Sequence, residues 1–328
     1  MIETEEVVGS LDAFVAEQLH FLKPVEECWQ PSDILPDMTG GGWREGVEAL
    51  RRRALGLPDD VLVVLVGNLI TEEALPSYQT WLNRVEEIKD PTGASQSPWA
   101  LWTRRWTAEE SRHGELLSRY LYLSGRVDLH SVEVTIQHLI RNGFDLKSGS
   151  DPYKSLVYAA FQERGTKISH ANTGRHAQQC GDELLARMCA LIAGDEARHE
   201  EAYKRIYGKI IEMDPERAVC AFAVMMRQKV VMPARLMSDG TDRDIFSQFA
   251  VVAQRSGIYT IRDYADVIAH LVDYWNIPSL LGLTGEAARA QEYLCGLAEH
   301  YLSKAEKTEE ITARLPEEPF SWIFGRRV

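Results

Sequence analysis

Cysteine is scarce in this 328-residue chain: Cys28, Cys180, Cys189, Cys220 and Cys295 are scattered, odd in number and never spaced C-x-x-C. That excludes a disulfide framework or a zinc–thiolate site and fits a reducing compartment. Long hydrophobic runs are also missing. The longest, "AVCAFAVMM" at 218–226 and "VLVVLV" at 61–66, fall far short of the ~20 residues that span a bilayer, so no membrane insertion is expected. Positive charge is in deficit, with 36 Lys and Arg against 49 Asp and Glu and a net charge of -13. Nucleic acids and anionic membranes reward basic surfaces, so neither is an expected partner. The N-terminus, "MIETEEVVGS", has neither the layout of a signal peptide nor the Arg/Ser bias of a transit peptide, which points to the cytoplasm.

Strand-like alternation is scarce, and what is present instead is helical periodicity. Apolar residues recur at three- and four-residue spacing around 61–88, 99–123, 129–142, 153–171, 182–211 and 216–231. Breaks fall at "KDPTGASQSP" (89–98), "NGFDLKSGSDP" (142–152), "MDPE" (213–216) and "SDGTD" (238–242). No linker is long or polar enough to divide the chain. The expectation is a single all-α domain over 1–328: an irregular lead-in to about residue 45, a core at about 60–235, and C-terminal helices with a Pro-containing tail at about 236–328.

Two of these helices carry one motif. "EESRHG" at 109–114 and "DEARHE" at 195–200 share the form acid, Glu, x, Arg, His. On a helix, Glu110 and His113, or Glu196 and His199, lie three residues apart on one face. A bare E-x-x-H is weak, since Glu17 and His20 make one by chance; the longer match is not accidental. Each copy follows an acid on an earlier helix, Glu72 before Glu110 and Glu163 before Glu196. Helix hairpins turning in "DPTGASQSP" and in "NTGRHAQQCGD" would bring each pair level. The result is a ferritin-like four-helix bundle with four carboxylates and two imidazoles at its centre, the ligand set of di-iron and di-manganese proteins. Four negative charges balance two divalent ions, which removes the cost of burying them. Oxygen-rich ligation with two imidazoles favours iron or manganese, and aerobic chemistry favours iron. Metal-bound imidazoles usually donate their second N–H to an acceptor, so Asp195 is expected to support His113, and Glu109 to support His199, across the bundle. Pro76, four residues after Glu72, removes the helical partner of the Glu72 carbonyl and should bend the helix. Thr166 should share the face of Glu163, placing a hydroxyl at the centre.

The chain also resembles the soluble acyl-carrier-protein desaturases of the plant stearoyl type. The stretches "LKPVEECWQPSDILPD", "ITEEALPSYQT", "WTRRWTAEESRHG", "FQERGTKISHANT", "DEARHE", "VAQRSGIYT" and "FSWIF" carry the resemblance over nearly its whole length. It implies iron ligands at Glu72, Glu110, His113, Glu163, Glu196 and His199, an active-site threonine at Thr166, and an electron-relaying tryptophan at Trp29. It implies O2-dependent formation of a cis double bond in an acyl chain carried on acyl carrier protein, with electrons from ferredoxin. A homodimer is implied as well, and a plastid stroma if the chain is a processed plant-type one.

Two departures stand out against that resemblance. Ala197 sits where relatives often carry Lys, which leaves Arg44, Arg51, Arg52 and Arg53 as basic candidates for contacting the acidic carrier. Trp81 and Arg84 are bulky in a region that lines the substrate channel of relatives, so chain length and double-bond position are expected to differ. Two rival readings share the bundle. The small subunit of ribonucleotide reductase keeps a radical tyrosine four residues after its first E-x-x-H, where this chain has Leu117, with Tyr120 and Tyr122 nearby. A ferritin-like iron store is a much shorter chain that assembles into a cage.

Overall fold

A computed structural model describes residues 4–228, 233–241 and 244–328. Among them are fourteen α-helices: α1 (Thr4–Gly9), α2 (Asp12–Gln18), α3 (Trp43–Ala54), α4 (Asp59–Glu73), α5 (Leu75–Leu82), α6 (Pro98–Ser124), α7 (Leu129–Asn142), α8 (Pro152–Gln179), α9 (Glu183–Met213), α10 (Pro215–Arg227), α11 (Ile245–Ser256), α12 (Ile261–Tyr274), α13 (Gly285–Leu302) and α14 (Ala305–Arg314). The tail adds a two-residue antiparallel pair, Pro319↔Arg327 and Phe320↔Arg326. The all-α reading holds. The lead-in is not irregular throughout, since α1 and α2 fall within it, and residues 229–231 of the expected 216–231 helix lie outside the described residues.

Local chemistry explains where the long helices begin and end. α6 opens on Ser97, whose side chain accepts from the Ala100 N–H, followed by Pro98; it closes on Gly125 at φ 65°, a left-handed cap. α8 opens on Asp151, which accepts from Tyr153 and Lys154 N–H groups, and α9 on Asp182, which accepts from Leu185. The helix expected over 61–88 breaks at Ala74, between α4 and α5, because Pro76 has no N–H to continue the ladder. It also stops at Leu82 rather than residue 88.

α4, α6, α8 and α9 form the central bundle. Its two apolar cores show the chain direction. Trp99, Trp102 and Trp106 at the start of α6 share one core with Tyr203, Ile206 and Tyr207 late in α9. Leu116, Leu117 and Leu121 share the other with Met188, Cys189 and Ile192 early in α9. α6 and α9 are therefore antiparallel, and the midpoints where "EESRH" and "DEARH" sit fall between the two cores. α4 is buried from Val61 through Glu72, so it reads as apolar on all sides. Gly67 lets the Phe249 ring of α11 lie against α4, where a Cβ would collide with it. Buried Glu200 ties the C-terminal layer on: it accepts from Arg164 at 3.1 Å, Lys204 at 3.0 Å and Lys167, and Arg164 reaches Asp266 of α12 at 3.1 Å.

Among the described residues no single helix is long and apolar enough to cross a membrane. One pair bent by 116°, α3 with α4, passes by length and composition alone, and α4 is already buried in protein.

Candidate metal centre

Glu110 and His113 from α6, Glu196 and His199 from α9, Glu72 from α4 and Glu163 from α8 meet at the middle of the bundle, all buried. They form two groups whose ligand atoms lie within 4.8 Å of one another: Glu72, Glu110, His113 and Glu196, and Glu110, Glu163, Glu196 and His199. Glu110 and Glu196 belong to both. His113 Nδ1 lies 3.3 Å from Glu110, 3.5 Å from Glu196 and 3.6 Å from Glu72. His199 Nδ1 lies 2.7 Å from Glu110 and 3.5 Å from Glu163. Yet His113 Nδ1, His199 Nδ1 and Glu110 Oε1 make no aligned hydrogen bond. Donor atoms crowded around common points but not bonded to each other are what metal ions require.

Charge tells the same story. Burial opposes charge on both imidazoles. The Glu110 carboxylate outweighs it at His113, and the hydrogen bond to Glu109 with the nearby Glu110 and Glu163 carboxylates outweighs it at His199, so both are pushed well above their usual range. Burial, with the charges of Glu196 and Glu110, pushes the Glu163 carboxyl up; burial and Glu110 do the same to Glu196. In the protein alone the cluster gathers protons to offset its four carboxylates. Two divalent cations supply that positive charge instead, so the residues fit two metal ions.

The outward nitrogens of the histidines face acids of the opposite motif. His113 Nε2 is 3.4 Å from Asp195, and His199 Nε2 is 3.1 Å from Glu109. The arginine of each motif, to which no task was assigned from sequence, crosses as well. Arg112 donates to Asp195 at 3.1 Å, and Arg198 donates to Glu109 and Asp195, each at 2.6 Å. Half-buried Trp29 donates from Nε1 to Asp195 at 3.0 Å and stacks on His113 at 6.0 Å between ring centroids. Two further donors were missed: His170 Nε2 meets Glu72 at 2.9 Å, and Trp106 Nε1 donates to Glu163 at 3.0 Å. Helical spacing held a signal for both, since His170 is seven residues after Glu163 and Trp106 four before Glu110.

One side of the cluster opens on a cavity walled by Glu72, Glu110, Glu163, Glu196, Thr166 and aromatic rings. A larger apolar cavity of about 320 Å³ lies beside it, and the two share Thr71 and Gln162 as a partition. Thr166 lines the first, while its hydroxyl donates to carbonyls of its own helix, Glu163 at 3.0 Å and Gln162 at 3.1 Å. Trp81 also lines it, packed edge-on against Tyr158 and Phe144 at 5.6 and 5.9 Å. Arg84 does not: α5 ends at Leu82, and Arg84 sits exposed in the turn that follows. Of the basic candidates, Arg51 is held by the Leu123 carbonyl at 2.9 Å and Arg53 lies 3.8 Å from Asp182, while Arg44 and Arg52 stay exposed. Glu17 and His20 are exposed in the lead-in and belong to neither ligand group. Tyr120 donates to Asp182 at 2.5 Å and Tyr122 is exposed, so neither offers a phenol to the cluster.

An all-α, ferritin-like bundle enclosing four carboxylates and two imidazoles defines a class, the dimetal carboxylate proteins. Within that class the chain belongs to the fatty acid desaturase family, whose model matches residues 3–324. It is 51% identical over 327 residues to an acyl-[acyl-carrier-protein] 6-desaturase of Thunbergia alata, covering 99% of this chain and 84% of that one. It is 53% identical over 332 residues to the chloroplastic acyl-[acyl-carrier-protein] desaturase 3 of Oryza sativa subsp. japonica, covering 99% and 83%. The fold also matches a solved structure described as a candidate acyl-ACP desaturase, DesA2 of Mycobacterium tuberculosis H37Rv, with TM-score 0.56 and 19% identity over 87% of this chain and 98% of that one.

Proposed function

We propose that this protein desaturates a fatty acyl chain held as a thioester on acyl carrier protein, as its relatives' names describe for them. Two hydrogens leave adjacent methylenes as a cis double bond forms, and O2 with two electrons and two protons becomes two waters. The carrying observation is the apolar cavity that opens directly onto Glu72, Glu110, Glu163 and Glu196. An enzyme acting on unactivated methylene groups needs a redox-capable metal site and an apolar chamber beside it.

In this reading the six buried residues hold two iron ions, which when bound supply the redox chemistry that inert alkyl C–H bonds demand. The chain's own residues do the rest. The cavity walls fix which methylenes lie against the cluster and keep water out. Asp195 and Glu109 orient the two imidazoles and keep Nδ1 turned inward. Trp29, Asp195 and His113 form a connected contact from the surface inward, which we assign as the electron path from ferredoxin. Thr166, which lines the cavity, is assigned the task of holding a proton there with its hydroxyl. The chain works as a single-domain homodimer wherever ferredoxin and acyl carrier protein coexist, the bacterial cytoplasm or the plastid stroma. Incubating iron-loaded protein with ferredoxin, reductant, O2 and a panel of acyl carrier protein thioesters tests the reading by mass spectrometry. A product two mass units lighter is expected; no double bond in any chain, with the iron centre intact, sinks it.

Trp81 sets a specific expectation. Its ring fills the cavity between Tyr158 and Phe144, and its Nε1 has no partner, so its contribution there is volume. Trp81→Met should open room for further methylenes and shift preference toward longer chains. Since each methylene in an apolar pocket is worth about 10-fold or more in discrimination, competition between two chain lengths should reverse by at least about that factor. An unchanged product ratio would show that the chain does not reach Trp81.

A further inference from the structure

The two halves of the centre follow one pattern until it reaches the carboxylates that belong to only one group. Glu72 corresponds to Glu163, Glu110 to Glu196, Arg112 to Arg198 and His113 to His199. Trp106, four residues before Glu110, donates to Glu163 at 3.0 Å. Its counterpart four residues before Glu196 is Ile192, which has nothing to donate. The gap is filled from another helix: His170 Nε2 lies 2.9 Å from Glu72 Oε1. The counterpart of His170 in the first half, seven residues after Glu72, is Gln79, which is bonded to Thr107 instead.

We infer that His170 is a positioning residue: it donates from Nε2 to Glu72 Oε1 and so turns Oε2 toward the metal pocket shared with His113. The reasoning rests on the metal-centre reading above. His170 Nε2 lies at full hydrogen-bond distance from Oε1, while Oε2 is the Glu72 oxygen that lies 3.6 Å from His113 Nδ1. A carboxylate that holds a metal ion has no proton to give, so the imidazole nitrogen facing it carries the hydrogen. His170 is 1% exposed, and its Nδ1 has no partner. A fully buried imidazole satisfied at one nitrogen only is costly as core filling, and its one bond goes to a proposed ligand. The need is also visible in the backbone. Glu72 lies in the last turn of α4, just before the break at Ala74, so its side chain lacks the rigid helical run that holds Glu110, Glu163 and Glu196. An external donor supplies the constraint.

Titration of metal-free full-length protein with Co2+, read by its visible absorption and by calorimetry, tests this without turnover. Wild type is expected to take up two ions. His170→Phe keeps the ring volume but not the donor, and should weaken one ion about 10- to 100-fold, the usual effect of losing a ligand's supporting partner, while leaving the other near wild type. Its Co2+ spectrum should change, and helical content by circular dichroism should not. His170→Gln, whose amide N–H can reach the same oxygen, should recover most of that loss. Trp106→Phe should weaken the other ion, so that the double variant binds both weakly. If His170→Phe binds two ions with wild-type affinity and spectrum, or if His170→Gln fails as badly as His170→Phe, the positioning role is wrong. If wild type itself takes up no ion pair, the centre falls first and this inference with it.

Discussion

Replacing Glu110 or Glu196 by alanine should remove both metal ions and reduce desaturation to below about one-thousandth of wild type, as expected when residues act as a unit. The reason lies in how the two four-residue groups overlap. Each includes Glu110 and Glu196, so losing either takes a donor from both positions. Glu72 and Glu163 belong to one group each, so Glu72→Ala should spare one ion. Stability should move the other way. Burial and the charge of Glu110 make Glu196 an uncomfortable carboxylate in the metal-free protein. Metal-free Glu196→Ala should therefore melt no lower than metal-free wild type, while losing the gain that iron loading gives wild type. Iron analysis beside thermal unfolding checks both halves. Two retained irons in Glu196→Ala would undo the ligand assignment, and a large fall in metal-free melting temperature would undo the account of strain.

Asp195→Ala should be the most damaging change outside the six. This one buried carboxylate receives Trp29 at 3.0 Å, Arg112 at 3.1 Å, Arg198 at 2.6 Å and His113 at 3.4 Å. Removing it strands the buried Arg112 guanidinium without its main counter-charge, and breaking a buried pair from one side costs about 3–5 kcal/mol. It also frees His113 Nε2, so the imidazole loses what fixes its tautomer and orientation. Asp195→Asn separates the two effects. The amide keeps the shape and one acceptor but places an NH2 against arginine and indole donors, so it should recover part of the stability and little of the metal affinity. Chemical denaturation measures the first, and iron binding with the rate of reduction by ferredoxin measures the second. Wild-type iron binding in both variants would leave Asp195 as a structural ion-pair residue only.

The degree to which sequence alone anticipated this site follows from the range of each interaction. Glu110 with His113, and Glu196 with His199, are three residues apart on their own helices, and the rise and turn of an α-helix place them on one face whatever surrounds them. Pro76 announced the break at Ala74 because the missing N–H is a covalent fact. The repeat of acid, Glu, x, Arg, His made the pairing of helices legible, and the apolar runs between turn clusters made the helices themselves legible. The end of α5 was not legible, because the apolar spacing of Val85 and Ile88, both buried, continues past the helix end at Leu82.

What the residue order determined by itself was the inventory: two repeated motifs, their two upstream acids, and the helices that carry them. Which side chain meets which was decided by the tertiary structure. His170 reaches Glu72 across 98 positions of chain, Trp106 reaches Glu163 across 57, and the motif arginines cross to the opposite acids. Trp81 faces the cavity while Arg84, three residues later, faces out. Periodicity sets only the relative angles of residues along one helix. The rotation of each helix about its own axis, and its height against its neighbours, come from packing between the two apolar cores, and those two quantities choose the partners.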